Sequence, residues 1–96
     1  MSGTPQPSGP IFTMYTTSWC GDCIRVKQWL QAHDYQADRD YLEINIEHHP
    51  DSIAKVEEIN HGQRSVPTLV FSDGSTITEP SNQQLAEKLE RLAATG

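Results

Sequence analysis

Residues 11–46 read as strand, helix, strand, and that pattern confines the chain to a small set of folds. The run Ile11–Thr16 has strand composition, with Phe12, Met14 and Tyr15 as core candidates. Cys23, Val26, Trp29 and Leu30 then fall on one side of a helical wheel. Arg25, Lys27, Gln28 and Gln31 lie mostly outside it, which predicts an amphipathic helix to about Ala32, ended by Asp34 and the polar stretch after it. Tyr41–Ile46 alternates, so Leu42, Ile44 and Ile46 are expected on a buried face. A strand–helix–strand unit of this kind joins two parallel strands in one sheet.

The second half adds antiparallel pairing. Pro50 suits the first position of a helix, Asp51 complements its dipole, and Ile53, Val56 and Ile59 supply an apolar stripe that Asn60-His61-Gly62 closes. Thr68–Phe71 is a short apolar strand, and Asp73-Gly74 is a hairpin signal leading into Thr76–Thr78. Ser81-Asn82-Gln83-Gln84 has the S-x-x-Q form of a capping box before a last helix with Leu85, Leu89 and Leu92 buried. The predicted class is α/β, ordered β-α-β-α-β-β-α, with a four-stranded mixed sheet and helices on both faces.

Composition narrows the partners. With 96 residues the chain is one domain, expected to bury only about 60 to 65% of the surface its unfolded form exposes, so large buried cofactors are not anticipated. The formal charge of -6 comes from scattered acids with no basic cluster, which speaks against nucleic acid. No apolar run approaches the roughly 20 residues of a membrane span. Residues 1–10, MSGTPQPSGP, have neither the basic start nor the hydrophobic segment of a secretory signal. They read as a disordered tail, and the protein as cytoplasmic.

The sulfur is concentrated at one place. The chain has two cysteines, Cys20 and Cys23, in Trp19-Cys20-Gly21-Asp22-Cys23. Two such residues cannot make the multi-bridge framework of a small secreted scaffold, and their spacing suggests redox or metal chemistry. Cys20 falls where the first strand gives way to a helix, and backbone N–H groups at such a terminus stabilise a thiolate. Cysteines so placed have pKa values lowered from about 8.5 into a range of roughly 3.5 to 7.5. Cys23, one turn on, lies beside the buried stripe. Cys20 can therefore attack a substrate disulfide, and Cys23 can attack the mixed disulfide that results.

Other uses of the pair stand beside this one. Buried structural cysteines are one, although Cys20 borders Ser18 and Gly21 at a helix start rather than a core stripe. A metal or iron–sulfur module is another, including a cluster shared between two chains through Cys20. His48, His49 and His61 have no metal-like spacing to the cysteines and read as exposed polar residues, with His33 at a helix end. Arg64-Ser65-Val66-Pro67-Thr68 holds a proline entering a strand. Composition favours a trans Val66–Pro67 bond, whereas a cis bond would expose the Val66 backbone to an extended thiol substrate.

Taken together, Cys20-Gly21-Asp22-Cys23 after a strand, the later Val66-Pro67-Thr68 and the order of elements resemble the glutaredoxin branch of the thioredoxin fold, over a domain of residues 11–94. Within that branch, MYTTSWCG-x-C, NHGQRSVPT, and FSDGS followed by EPS are similar to mycoredoxins, the mycothiol-linked members found in actinobacteria. The resemblance implies that Cys20 is the nucleophile toward a mixed disulfide of mycothiol and a protein, with Cys23 resolving. It implies a cis Val66–Pro67 bond facing Cys20. Trp19, Gly21, Asp22, Arg64, Ser65, Val66 and Pro67 would line the thiol-binding groove, and Ser81 and Asn82 would close its far side.

The implied activity is a thiol–disulfide oxidoreductase with no metal and no tightly bound cofactor, using mycothiol as co-substrate and thiolated proteins as substrates. The alternative reductant is a flavoprotein thioredoxin reductase, with electrons passed to a protein such as ribonucleotide reductase. Two departures from the family pattern stand out. Glutathione-binding members usually carry Gly-Gly and an acidic residue before the last helix, where this chain has Glu79-Pro80-Ser81-Asn82, which favours mycothiol over glutathione. Asp22 replaces the usual Tyr. It either complements the helix dipole or opposes thiolate formation at Cys20 and repels acidic ligands.

Overall fold

Each change of hydrophobic period along the chain becomes a change of element. The computed structural model describes residues 10–95, so the tail expected over residues 1–10 lies, apart from Pro10, outside the described residues. The elements are β1 (Phe12–Thr16), α1 (Gly21–Ala32), β2 (Tyr41–Asn45), α2 (Asp51–Ile59), β3 (Thr68–Phe71), β4 (Thr76–Thr78) and α3 (Asn82–Thr95). Their order is the predicted one.

The sheet runs β2-β1-β3-β4. β1 pairs in parallel with β2, Phe12 opposite Tyr41, and antiparallel with β3, Phe12 opposite Phe71. β4 pairs antiparallel with β3, Leu69 opposite Ile77. This register puts Phe12, Met14, Tyr41, Leu69 and Phe71 on one face, where they form a core with Val26 and Leu30 of α1 and Leu85 and Leu89 of α3. The Phe12 ring stacks on Tyr41 with centroids 5.0 Å apart and meets Phe71 at 5.5 Å. Burying each such side chain contributes about 1.5–3 kcal/mol.

The opposite face belongs to α2. Asn60, just after α2, donates from Nδ2 to Thr68 Oγ1 at 3.0 Å and accepts from Thr78 Oγ1 at 2.6 Å, so hydroxyls of β3 and β4 are tied to that helix. Val56 is fully buried there. Helices thus cover both faces, as expected.

Three local expectations need correcting. In β2 it is Tyr41, not Leu42, that joins the core, and Leu42 is 40% exposed. β2 is an edge strand and α2 has nine residues, so the face carrying Leu42 is only partly covered. Ile46 is buried and Ile44 half-buried, so the alternation holds at the other end. In β1 the third buried position is Thr16 rather than Tyr15; its hydroxyl donates to Glu43 Oε2 at 2.9 Å. Pro50 is the N-cap of α2 rather than its first helical residue.

The turn and cap signals behave as read. Gly74 adopts φ 89°, a conformation costly to residues with a Cβ, while Asp73 Oδ1 accepts from the Ser75 N–H at 2.9 Å. Ser81 Oγ accepts from the Gln84 N–H at 3.1 Å and Gln84 Oε1 accepts from the Ser81 N–H at 2.8 Å, closing the capping box. His33 caps the end of α1 and stacks on Trp29 at 4.0 Å.

Candidate functional site

The end of β1 delivers the chain to the start of α1, and Cys20 occupies the N-cap with extended backbone, φ -89° and ψ 113°. Its sulfur takes the place of the usual oxygen cap and accepts the Cys23 N–H at 3.1 Å. The same sulfur, as a thiol, donates to the Val66 carbonyl at 3.6 Å. When that proton leaves, the Cys23 N–H remains as a donor aimed at the anion. Both cysteines are free thiols; Cys20 is 9% exposed and Cys23 is 1% exposed.

Cys23 sits on the buried side of α1 with Val26 and Leu30. Burial pushes its thiol pKa well above the ordinary value, and a hydrogen bond with Cys20 pushes it further; the Thr17 backbone and the Lys27 charge offset this only partly. The inner sulfur therefore keeps its proton at neutral pH. The two thiols have unlike environments three residues apart.

The Val66–Pro67 bond is cis, so composition misleads here and the family resemblance does not. Pro67 is buried, and its loop is pinned on three sides. Thr68 Oγ1 donates to the Ser65 carbonyl at 2.7 Å while accepting from Asn60. The Glu79 N–H donates to the Pro67 carbonyl at 2.7 Å, from a residue held at φ 52°. The Val66 carbonyl is thereby fixed facing the outer sulfur.

Of the predicted site residues, Cys20, Cys23, Val66 and Pro67 are brought together directly. Asp22 and Asn82 are joined through Arg25, which donates to Asn82 Oδ1 at 2.8 Å and to the Pro80 carbonyl at 2.8 Å, and stands 3.8 Å from the Asp22 carboxylate. Asp22 is therefore in the first turn of α1, as the dipole reading expects, with a cation beside it. The Ser81 hydroxyl is committed to the capping box, and Ser65 contributes its carbonyl to Thr68. Arg64 pairs with Glu57 of α2 at 3.0 Å, away from the sulfurs' own hydrogen bonds. A Cβ at Gly21 would meet nothing within 4 Å, so packing does not demand glycine there.

Trp19 is 76% exposed, yet its indole N–H donates to Glu47 Oε2 at 2.7 Å. Arg25 and Glu47 escape the sequence reading. Arg25 carries a weak local signal, its spacing of three from Asp22 on one helix. Glu47 carries none, since it meets Trp19 only through the fold. Among the described residues no group of three or more His, Cys, Asp or Glu is placed to hold a metal ion, and no helix is long and apolar enough to cross a membrane.

The family model described as Glutaredoxin matches residues 12–77. A protein of Mycobacterium tuberculosis named "Putative glutaredoxin Rv3198A" is 44% identical over 81 residues, 84% of this chain and 92% of its own. Mycoredoxin 1 of Corynebacterium glutamicum is 31% identical over 81 residues, 84% of this chain and 95% of its own. The crystal structure of the glutaredoxin grx-1 from Archaeoglobus fulgidus superposes with a TM-score of 0.65 at 25% identity, covering 88% of this chain and 95% of that one. The fold is thioredoxin-like, with the mixed four-stranded sheet expected from the sequence.

Proposed function

This chain belongs to the glutaredoxin family, as a thiol–disulfide oxidoreductase related to mycoredoxin, and from that premise we propose that it reduces mixed disulfides between proteins and a low-molecular-weight thiol, mycothiol by preference. The observation that carries the reading is the placement of the Cys20 sulfur between the Cys23 N–H at 3.1 Å and the Val66 carbonyl at 3.6 Å. One contact stabilises the anion. The other marks where the extended small thiol of the mixed disulfide can lie.

In the proposed cycle the Cys20 thiolate attacks the small thiol's sulfur in the mixed disulfide. The substrate S–S bond breaks, the protein leaves as a thiolate and takes up a proton, and the small thiol is now bonded to Cys20. The Cys23 thiol then loses its proton and attacks the Cys20 sulfur, expelling the small thiol and closing a Cys20–Cys23 disulfide. Two electrons pass from the dithiol to the substrate. Two electrons from a second low-molecular-weight thiol pair, or from a flavoprotein reductase, restore the pair.

The proposed cycle gives each of the remaining residues a role. Val66 and Pro67 orient the substrate beside Cys20, and Asn82 and Ser81 close the groove at the start of α3, held there by Arg25. Gly21 and Asp22 form its floor at the first turn of α1, Ser65 and Arg64 its rim, and Trp19 stands on the other side of Cys20, toward β2, where the protein half of the substrate can meet it. The Glu79-Pro80 turn in place of Gly-Gly supports mycothiol over glutathione. We place the reaction in the cytoplasm, where a lone redox pair is kept reduced.

Coupled assays test the reading. Turnover of a mycothiol–protein mixed disulfide should be sustained by mycothiol and its reductase, and poorly by glutathione with its own. Turnover driven equally by thioredoxin reductase alone would instead favour the flavoprotein-fed redoxin. A stoichiometric metal on freshly purified protein that survives mild chelation would favour the metal-binding module.

A further inference from the structure

The loop before Cys20 is sewn to the far end of β2. Glu47 uses both carboxylate oxygens on it: Oε1 accepts the Ser18 N–H at 3.1 Å and Oε2 accepts the Trp19 indole N–H at 2.7 Å. Asn45 Nδ2 donates to Ser18 Oγ at 2.9 Å while Asn45 Oδ1 accepts the Glu47 N–H at 2.9 Å, so the carboxylate is itself held in place. A single exposed aromatic side chain needs no explanation in general. An aromatic ring tethered by its polar end, next to the nucleophile, with most of its surface left to solvent, is a different object. Its ordering cost is met by a charge-assisted hydrogen bond before any ligand arrives.

The strand order divides the surroundings of Cys20 into two sides. Toward β3 lie Val66, Pro67 and the start of α3; toward β2 lie Trp19 and Glu47. A mixed disulfide also has two unlike halves. The proposed function assigns the small thiol to the first side, which leaves the second for the polypeptide.

Resting on that function, we propose that Trp19, positioned by Glu47, is the specificity platform for the polypeptide half of the mixed disulfide and favours a cationic side chain next to the reacting cysteine. The ring face attracts an ammonium or guanidinium through its quadrupole. The Glu47 carboxylate adds a negative charge, engaged by N–H donors of Ser18 and Trp19 and by no lysine or arginine among the described ion pairs. Hydrogen bonds from the Ser18 hydroxyl, the Ser18 N–H and the Trp19 indole N–H hold its carboxyl below the usual carboxylate range, with a smaller contribution from His48. Glu47 acts through Trp19 and is a positioning residue.

The experiment uses two peptide mixed disulfides with mycothiol, identical except for Lys or Glu beside the cysteine, assayed with the full chain and with W19A, E47A and W19A/E47A. The expected result is a kcat/KM about fivefold higher for the Lys peptide, carried by KM and narrowed by salt. Each single variant should remove that preference, and the double variant should remove no more than either alone. Equal rates for both peptides in the parent protein would overturn the proposal. So would a preference that survives in W19A or E47A, since it would then come from the overall charge of -6. Failure of the parent protein to release mycothiol from either peptide would instead overturn the proposed function on which it rests.

Discussion

The backbone N–H of Cys23 donates to the sulfur of Cys20 across 3.1 Å, so the residue that carries the inner thiol also supplies a hydrogen-bond donor to the outer one. The inner side chain meanwhile is buried and holds its proton. In the proposed cycle one turn of helix divides two chemically identical side chains into an attacking and a resolving sulfur, and among the described residues no histidine is hydrogen-bonded to either.

Alkylation and stability should both register this division. In the reduced protein at neutral pH, iodoacetamide should label Cys20 first, with Cys23 modified only under denaturant; peptide mapping reads the order. The unfolded Cys23 thiol loses its proton near pH 9.0, whereas the buried one holds it to higher pH. Above pH 9 the unfolded state then binds fewer protons, so the stabilisation is whole below that pH and is lost as pH rises. Urea midpoints of the parent protein should fall between pH 8.5 and about 10.5 more steeply than those of Cys23→Ser.

Arg25 joins α1 to the start of α3 through Asn82 and Pro80 and stands beside Asp22. Arg25→Ala should cost about 1 kcal/mol in urea denaturation, the roughly 1.5–3 kcal/mol of a charged hydrogen bond reduced by solvent screening at a half-exposed site. It should also leave the Asp22 carboxylate uncompensated near the outer sulfur and slow Cys20 alkylation several-fold. Adding Asp22→Asn should restore most of that rate and none of the stability. A rate that stays low in the double variant would assign the effect to groove geometry instead.

Thr68 is fully buried, donates to the Ser65 carbonyl at 2.7 Å and accepts from Asn60 at 3.0 Å. Thr68→Val keeps the shape but strands the Ser65 carbonyl and one Asn60 amide hydrogen, while Asn60 keeps its bond to the Val56 carbonyl, at an expected cost of about 2 kcal/mol. Because Ser65 directly precedes Val66, KM for a mixed disulfide should rise as well. Chemical denaturation and steady-state kinetics on the same preparation check both effects.

Glu79 holds φ 52° between β4 and α3, a left-handed conformation that burdens a residue with a Cβ. Its N–H bond to the Pro67 carbonyl does not involve the side chain. Glu79→Gly should therefore raise stability by up to about 1 kcal/mol, the left-handed strain relieved exceeding the extra chain entropy of glycine. A thermal melt showing a loss instead would mean that the Glu79 side chain has a stabilising role of its own.

What the sequence reveals about this protein is mostly what is local. The capping box at Ser81 and Gln84, the turn at Asp73-Gly74 and the helical stripe of Cys23, Val26 and Leu30 each depend on a few neighbouring residues, and all appear where expected. Leu42 misleads because alternation indicates two faces but not which is covered, and an edge strand under a short helix leaves one of them open. The cysteine pair is legible because spacing and helix start coincide. Glu47 and the Arg25 bridge are not, because their partners lie 28 and 57 residues away; nothing local marks Glu47, and the spacing of Arg25 from Asp22 does not point to Asn82.

The most direct measurement traps the first step. Cys23→Ser, incubated with a mycothiol–protein mixed disulfide and examined by intact mass and peptide mapping, should carry one mycothiol on Cys20 and release the protein as its free thiol, while Cys20→Ser should carry none. Absence of the adduct from Cys23→Ser, or its appearance on Cys23 in Cys20→Ser, would contradict the assignment of the attacking sulfur.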